Sequence, residues 1–173
     1  MRKIFVIFTF LLFSVSTWAQ KTRDMSHEGP SGDVFIGYSL LNGDTFSHAS
    51  GWEAALTGNF NDWFGLKADL GGNYKSEGGV TGREYNVLFG PQLSHRVDKF
   101  NVFVHGLLGV AHASIDVGPS STGAGWVIGG GADYNLNSNW AIRPVQLDYH
   151  GAHLFSTTQK DARYSVGLVY RFK

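Results

Sequence analysis

The sequence predicts an all-β protein, an eight-stranded antiparallel up-and-down transmembrane β-barrel, and three observations lead to this fold class. From residue 33 onward, apolar residues recur at every second position, which is the period of a strand with one apolar face. Turns rich in Gly, Asn, Asp and Ser separate the apolar stretches. Aromatic residues gather at the ends of these stretches and Val, Leu, Ile, Ala and Gly fill their middles, as in strands that cross a bilayer.

Length and composition limit the class of protein. The 173 residues fit one domain. Lys plus Arg and Asp plus Glu balance at 14 each, so no net charge attracts nucleic acid. The chain has no cysteine, which excludes disulfides and thiolate metal sites. With 23 glycines and 14% aromatic residues, the composition favours strands, tight turns and interfaces over a helical domain.

The first residues are predicted to be a targeting segment. Arg2 and Lys3 precede an apolar run at 4–15, and Thr17-Trp18-Ala19 offers small residues where a signal peptidase reads. This is typical of a secretory signal peptide at 1–19. The run is shorter than the ~20 residues of a spanning helix. Residues 20–32 are predicted to be a flexible lead, and residues 33–173 the barrel domain.

Eight amphipathic stretches are the predicted strands. Their apolar faces cover residues 34–40, 52–60, 64–74, 85–93, 100–112, 126–134, 140–149 and 164–172. Pro144 interrupts the seventh, which predicts a bulge that shifts the register by one. The connections at 61–63, 96–99 and 137–139 are short, whereas those at 42–50, 75–83, 113–124 and 152–162 are predicted to be long loops. Short turns at one end and long loops at the other are typical of outer-membrane barrels.

Two aromatic girdles are predicted from the positions of the aromatic residues along the strands. Beside the short turns lie Phe60, Phe64, Phe100, Tyr134 and Trp140; beside the long connections lie Trp52, Tyr74, Tyr85, Trp126, Tyr149 and Tyr164. Such girdles mark the two membrane interfaces. A soluble barrel of lipocalin type, with its apolar face turned inward, is the competing fold. The girdles, the alternating connection lengths and the apolar last strand favour the membrane barrel.

Charged residues on the opposite face are predicted to line the lumen. They are Glu53, Lys67, Asp69, Glu84, Asp133, Arg143, Asp148, Arg163 and Arg171. An eight-stranded barrel is only wide enough for side chains to fill it, and unpaired buried charges are costly. We therefore expect paired charges in a structural polar core, with an ion or solute path as the alternative. Inward glycines at 65, 71, 129 and 131 leave room for long side chains.

The last strand carries the most specific motif: Ser165, then Gly167, then alternate apolar residues ending in Tyr170 and Phe172. With it, the chain resembles the OmpA-like eight-stranded outer-membrane barrels of Gram-negative bacteria over nearly its whole length, without the peptidoglycan-binding domain of the longer members. The resemblance implies residence in the outer membrane and recognition of this strand by the barrel assembly machinery. It also implies contact with lipid and lipopolysaccharide, and a monomer. Lys173 departs from the pattern, which usually ends on the aromatic residue.

The resemblance also makes an enzymatic function possible in principle, because lipid A deacylases and acyltransferases share the eight-stranded outer-membrane fold. The deacylase pattern is a His-x-Ser pair supported by a Glu. The chain has His48-Ala49-Ser50 and His112-Ala113-Ser114, but no Glu follows Glu84. His150 and His153 lack an obvious third metal ligand, and the glycines at 129–131 lack the context of a phosphate loop. We expect no catalysis, cofactor or metal, and a structural, surface-interaction or minor pore role. A lipid A-modifying enzyme is the alternative.

Overall fold

Antiparallel pairing of strands that are neighbours in the chain builds the whole fold. The computed structural model describes residues 31–43, 48–116 and 118–172. The strands are β1 (Gly32–Gly43), β2 (Ala49–Asn59), β3 (Phe64–Glu77), β4 (Val80–Val97), β5 (Phe100–Ile115), β6 (Ser120–Asn135), β7 (Trp140–Leu154) and β8 (Thr157–Phe172). β8 pairs with β1 and closes the barrel. The predicted fold class is confirmed, while the predicted signal peptide at 1–19 and most of the lead at 20–32 lie outside the described residues.

Apart from the bulge in β7, inward and outward residues alternate along the strands, and the outward residues in the middle of the strands are apolar. On β5, Val104 and Leu108 expose 55% and 71% of their surface, whereas Phe103 and Leu107, each next to one of them in the chain, are buried. Such a continuous apolar exterior would aggregate in water, so the surrounding medium is hydrocarbon. In the described ranges, no helix is long and apolar enough to cross a membrane.

The start of β1, the end of β8 and three turns lie at one end of the barrel, which we call the terminal end. Asparagine side chains shape two of its turns. The Asn61 side-chain oxygen accepts hydrogen bonds from the amides of Trp63 and Phe64 at 3.0 and 2.7 Å. Asn137 does the same for the amides of Asn139 and Trp140 at 2.9 and 2.8 Å. These Asx turns replace the backbone pairing that each chain reversal removes.

The connections at the opposite end, which we call the hairpin end, differ from the prediction. Residues 75–83, 113–124 and 152–162 are not long loops, because the flanking strands continue through most of each segment. β3 and β4 meet at Gly78 and Gly79, with φ of 59° and 81°, and β7 and β8 meet at Phe155 and Ser156, with φ of 50° and 64°. Positive φ at both central residues matches the twist of a two-residue hairpin. The sequence predicted loops because these segments contain Ser, Thr and Gly and lack the apolar alternation of a membrane strand. Their backbones can nevertheless pair with the neighbouring strand.

The predicted bulge lies at Pro144 and is confirmed. The pairing of β7 with β8 shifts by one residue between Arg143 and Gln146, and the β6–β7 register shifts as well. Pro144 and Val145 consequently both face outward, while Arg143 and Gln146 on either side face the lumen. Proline has no amide hydrogen to give to the ladder, which explains its place in an irregularity. The bulge sets the direction of every lumen side chain on β7.

Candidate functional site

All nine charged residues predicted for the lumen are buried, with at most 5% of their surface exposed. They separate into a central group on β2, β3, β7 and β8, a group near the terminal end, and Glu84 towards the hairpin end. These nine residues do not form a water-exposed ring of charge around a channel. Most of them contact charges of opposite sign.

Arg163 holds the central group together. Its guanidinium donates to both oxygens of Asp69 at 3.1 and 3.3 Å, and its Nε and Nη2 lie 3.0 and 2.7 Å from one oxygen of Asp148. Its Nε is also 3.6 Å from Glu53. Because β8 and β3 lie on different sides of the barrel, this one side chain crosses the lumen. Gly71 makes room for it, since a Cβ there would lie 3.2 Å from the Arg163 guanidinium.

Three further side chains complete the central group. Lys67 Nζ lies 3.5 Å from Glu53 and 3.3 Å from Asp69. Gln146 Nε2 donates to Glu53 and to Asp148, both at 2.7 Å. The Ser165 hydroxyl donates to the second oxygen of Glu53. Every carboxylate of the group therefore has several donors, which is the condition under which buried charges are tolerated.

Arg143 dominates the group near the terminal end. It donates to Asp133 at 2.7 and 3.4 Å and to Gln146 at 2.8 Å, which joins this group to the central one. Its guanidinium also lies between two rings, 4.3 Å from the centre of Phe35 and 4.2 Å from that of Phe103. A planar cation between aromatic faces combines cation–π attraction with stacking.

Arg171 and Asn101 complete the group near the terminal end. Arg171 donates to Asp133 at 3.0 Å and also to Asn135. Asn101 donates to the same Asp133 oxygen at 3.2 Å. Asp133 is thus the shared acceptor of two arginines and an asparagine. Asp133 and the stacked Arg143 are both buried in the lumen near the terminal end.

Apolar residues also fill the lumen, which the sequence pattern alone did not predict. Leu88, Leu107 and Val127 form one buried cluster, and a second cluster is formed by Ala111, Ala113, Ala152 and Leu154. Phe35 belongs to a third, at the terminal end, with Ala55, Ala141 and Val169. Alternation alone assigned apolar residues to the lipid face. The signal that was available is the continuous apolar run at 87–89 and at 107–108, where both faces must be apolar.

Glu84 and His150 meet across the lumen between these clusters. His150 Nδ1 lies 3.4 Å from a Glu84 oxygen, and both side chains are 98% buried or more. His105 lies 3.0 Å from Asp148 in the central group. Neither histidine is beside a serine. Among the described residues, no three His, Cys, Asp or Glu side chains are grouped so that they could hold a metal ion.

The candidate catalytic and metal-binding motifs do not assemble. His112 and Ser114 project from the outer wall, and His112 Nδ1 lies 2.7 Å from the Thr122 hydroxyl, so its partner is a hydroxyl and not a carboxylate. His48 is exposed in the connection that precedes β2. His150 faces the lumen whereas His153 faces outward, because residues three apart in a strand lie on opposite faces. The glycines at 129–131 lie inside β6.

A comparison with protein families matches the model of the outer membrane protein beta-barrel domain over residues 5–172. The chain belongs to this family. No curated protein matches the chain. The outer membrane is therefore the location of the barrel, and its apolar exterior faces lipid.

Solved structures share the fold of this family member. Ail, the attachment invasion locus protein of Yersinia pestis, is 22% identical with a TM-score of 0.58, and the match covers 83% of this chain and 99% of that one. Neisserial surface protein A is 14% identical with a TM-score of 0.65, covering 82% and 96%. OprG of Pseudomonas aeruginosa is 14% identical with a TM-score of 0.56, covering 84% and 97%. These likenesses extend to the barrel fold.

Aromatic side chains of this outer-membrane barrel pair with one another near both ends. At the terminal end, ring centres are 5.9 Å apart for Phe60 and Phe64, 5.3 Å for Phe100 and Tyr134, and 5.0 Å for Trp140 and Tyr170. Towards the hairpin end they are 5.8 Å apart for Tyr74 and Tyr85 and 5.5 Å for Trp126 and Tyr149. Trp52 donates to the Tyr74 hydroxyl at 3.4 Å, and Tyr164 on β8 is half exposed.

The residues of the C-terminal motif divide between the two faces of β8. Ser165 and Gly167 face the lumen, whereas Tyr170 and Phe172 face outward with 42% and 39% of their surface exposed. Phe172 lies opposite Gly32 at the closing seam, where a Cβ on the glycine would be 2.7 Å from the Phe172 ring. The motif therefore combines a lumen hydrogen bond with the aromatic end of the barrel.

Proposed function

We propose that this outer-membrane barrel is a non-enzymatic protein with a sealed lumen, whose role is structural and in contacts at the cell surface. The observation that carries the proposal is the Arg163 network, in which one buried cation joins carboxylates from β2, β3 and β7. Solutes cannot pass this level unless those charges separate, which is costly in a space of low dielectric constant. A selective channel more often lines its path with charges of one sign.

Two further levels support sealing. At the terminal end, Arg143 occupies the space between Phe35 and Phe103. Between the charged groups and the hairpin end, the cluster of Leu88, Leu107 and Val127 is buried. Paired charges, stacked rings and aliphatic side chains thus succeed one another along the lumen. Conduction, if any occurs, is then restricted to small ions.

The hairpin end is the part that we assign to surface contacts. We infer that it faces outside, because short turns are periplasmic in this class of barrel. β4 has 18 residues and β5, β6 and β8 have 16 each, whereas a tilted strand needs about 9–11 to cross. The extra length carries backbone and side chains beyond the girdle, and rigid scaffolds place recognition in such projections.

The partners follow from this placement. We propose lipid and lipopolysaccharide around the barrel, the barrel assembly machinery during biogenesis, and a monomeric state. Ail has been crystallised with the heparin analogue sucrose octasulfate. We do not extend polyanion binding to this chain, because Arg83 at the hairpin end is already engaged with Asp116 at 2.6 Å.

Swelling of liposomes in an isotonic sugar solution tests the sealed lumen. Vesicles with the wild-type protein should swell no faster than protein-free vesicles. Arg143→Ala removes the guanidinium from between the two rings and should raise ion conductance in a planar bilayer. Arg83→Ala, at the exposed ion pair, is the matched control and should leave conductance unchanged. Rapid swelling with the wild type would establish an open pore and refute the proposal.

A further inference from the structure

A groove interrupts the lipid-facing wall at the β7 bulge. It has a volume of about 240 Å³ and passes over β8 between β1 and β7. Tyr38 and Leu40 form one wall, and Pro144, Val145 and Leu147 form the other. Val166 and Tyr164 of β8 also line the groove, as do Ser165 and Gln146, whose buried side chains point into the lumen.

The bulge explains why a groove exists here. Neither Pro144 nor Val145 pairs with β8, since the register passes from Arg143 opposite Gly167 to Gln146 opposite Ser165. Two successive residues of β7 then point outward, and β7 stands away from the β1–β8 seam at this level. In a regular antiparallel pair the strands lie about 4.8 Å apart, so the outward side chains of neighbouring strands meet and leave no such groove.

The polar side chains of Gln146 and Ser165, which line the groove, are already hydrogen-bonded inside the lumen, which favours an apolar occupant. Gln146 donates to Glu53 and Asp148 and accepts from Arg143, so its polar atoms are satisfied inside the lumen. Ser165 likewise donates to Glu53. The walls that remain are aliphatic and aromatic, with Tyr38 and Tyr164 each 51% exposed. The groove therefore offers contact surface and few hydrogen bonds.

The position of the groove selects the leaflet. Tyr164 belongs to the girdle nearer the hairpin end, while Leu168, two outward positions nearer the terminal end, does not line the groove. The groove thus lies in the half of the membrane next to the hairpin end. That end faces outside in this class of barrel, and the outer leaflet of this membrane is built from lipid A.

We propose that the groove binds one acyl chain of a lipid A molecule. An unfilled groove facing hydrocarbon would deprive its walls of dispersion contacts on one side, and a single flexible chain supplies them. The proposal rests on the orientation of the barrel given above and is independent of whether the lumen is sealed. It identifies one bound lipid within the general lipid environment.

Retention of lipid A through detergent extraction tests the site. The protein is reconstituted in vesicles of phosphatidylethanolamine and lipid A and extracted with mild detergent. Native mass spectrometry then measures the mass of the protein together with any lipid that it retains. The wild type should retain one lipid A per chain. Val166→Trp fills the groove and should lower the retained fraction roughly tenfold, equivalent to about 1.4 kcal/mol. Leu168→Trp, the next outward position on β8, is the matched control and should retain lipid A as the wild type does.

Three outcomes would overturn the site: a wild type without bound lipid A, equal loss in both tryptophan variants, or retention of phosphatidylethanolamine in place of lipid A. Far-ultraviolet circular dichroism should show the same strand content in all three proteins. Because both replaced residues face lipid, with 48% and 52% of their surface exposed, folding should survive in each. Sugar-induced swelling serves as a separate readout, since Val166→Trp leaves the lumen unchanged.

Discussion

Arg163 illustrates how one residue determines the state of the lumen. Three carboxylates, Glu53, Asp69 and Asp148, lie within 3.6 Å of its guanidinium, and Lys67 is the second cation of the group. Removing Arg163 would leave three buried acids to share one lysine. The planar guanidinium is also needed, because it serves two carboxylates in one plane, which an ammonium group cannot do.

Replacing Arg163 with Met should therefore destabilise the barrel by about 3–5 kcal/mol, the cost of breaking a buried ion pair from one side. Urea titration of the protein folded in lipid vesicles measures this. Arg83→Met is the control, because Arg83 and Asp116 are 41% and 39% exposed at the hairpin end. It should cost about 0–1 kcal/mol, as exposed pairs do. Equal losses in the two variants would contradict the role given to Arg163.

At the scale of the element, β8 has two functions, and the alternation of its residues places them on opposite faces of the strand. Its lumen face carries Arg163 and Ser165, which hold the central group, and its outward face ends in Tyr170 and Phe172. Ring centres of Trp140 and Tyr170 are 5.0 Å apart, so the end of β8 contributes to the aromatic pairs at the terminal end. The same strand pairs with β1 and closes the barrel.

Phe172→Ala tests the outward function of β8. The apolar outward residues of β8 end on this aromatic side chain, and we expect its loss to impair insertion and leave protein in the periplasm for proteolysis. The measurement is the amount of protein in isolated outer membranes. Phe155→Ala is the control, because Phe155 is also 39% exposed but lies in the hairpin turn before β8. Replacing Lys173 should do little. Outer-membrane amounts of Phe172→Ala equal to those of the wild type would argue against the assembly signal.

For the whole molecule, the period-two pattern predicted the number of strands and the inward direction of side chains such as Glu53 and Arg163. This was possible because the alternation of side chains depends only on neighbouring residues in the same strand. It could not predict the partners of Arg163. Asp69 is 94 positions away, and their contact depends on how the strands stagger when the barrel closes. Alternation does turn Leu88 and Leu107 inward, because Val87 and Leu108 beside them face outward, but it could not predict that the two meet in one cluster with Val127.

The hairpin end is where prediction and structure differ most, and backbone hydrogen exchange separates the two descriptions. The β3–β4 ladder continues to Glu77 opposite Val80, with the hydroxyls of Ser76 and Thr81 2.9 Å apart, and the β7–β8 ladder continues to Leu154 opposite Thr157. Paired amides exchange only when their hydrogen bonds open. Within residues 75–83 and 152–162, the amides that donate to these ladders should therefore exchange at least roughly a hundredfold more slowly than those of an unstructured chain, which corresponds to an opening free energy of about 2.7 kcal/mol. The turn amides of Gly78, Gly79, Phe155 and Ser156 are not part of this expectation.

Residues 65–74 provide the internal reference for this measurement, because in this part of β3 the strand pairs with both β2 and β4. If the ladder amides of 75–83 and 152–162 exchanged at the rate of an unstructured chain while 65–74 remained protected, the hairpin end would consist of mobile loops. Contacts at the cell surface would then be made by segments that become ordered on binding, at an entropic cost. Protection of all these segments would mean that partners meet a surface that is already ordered, so that a rigid projection of the barrel wall makes the contact.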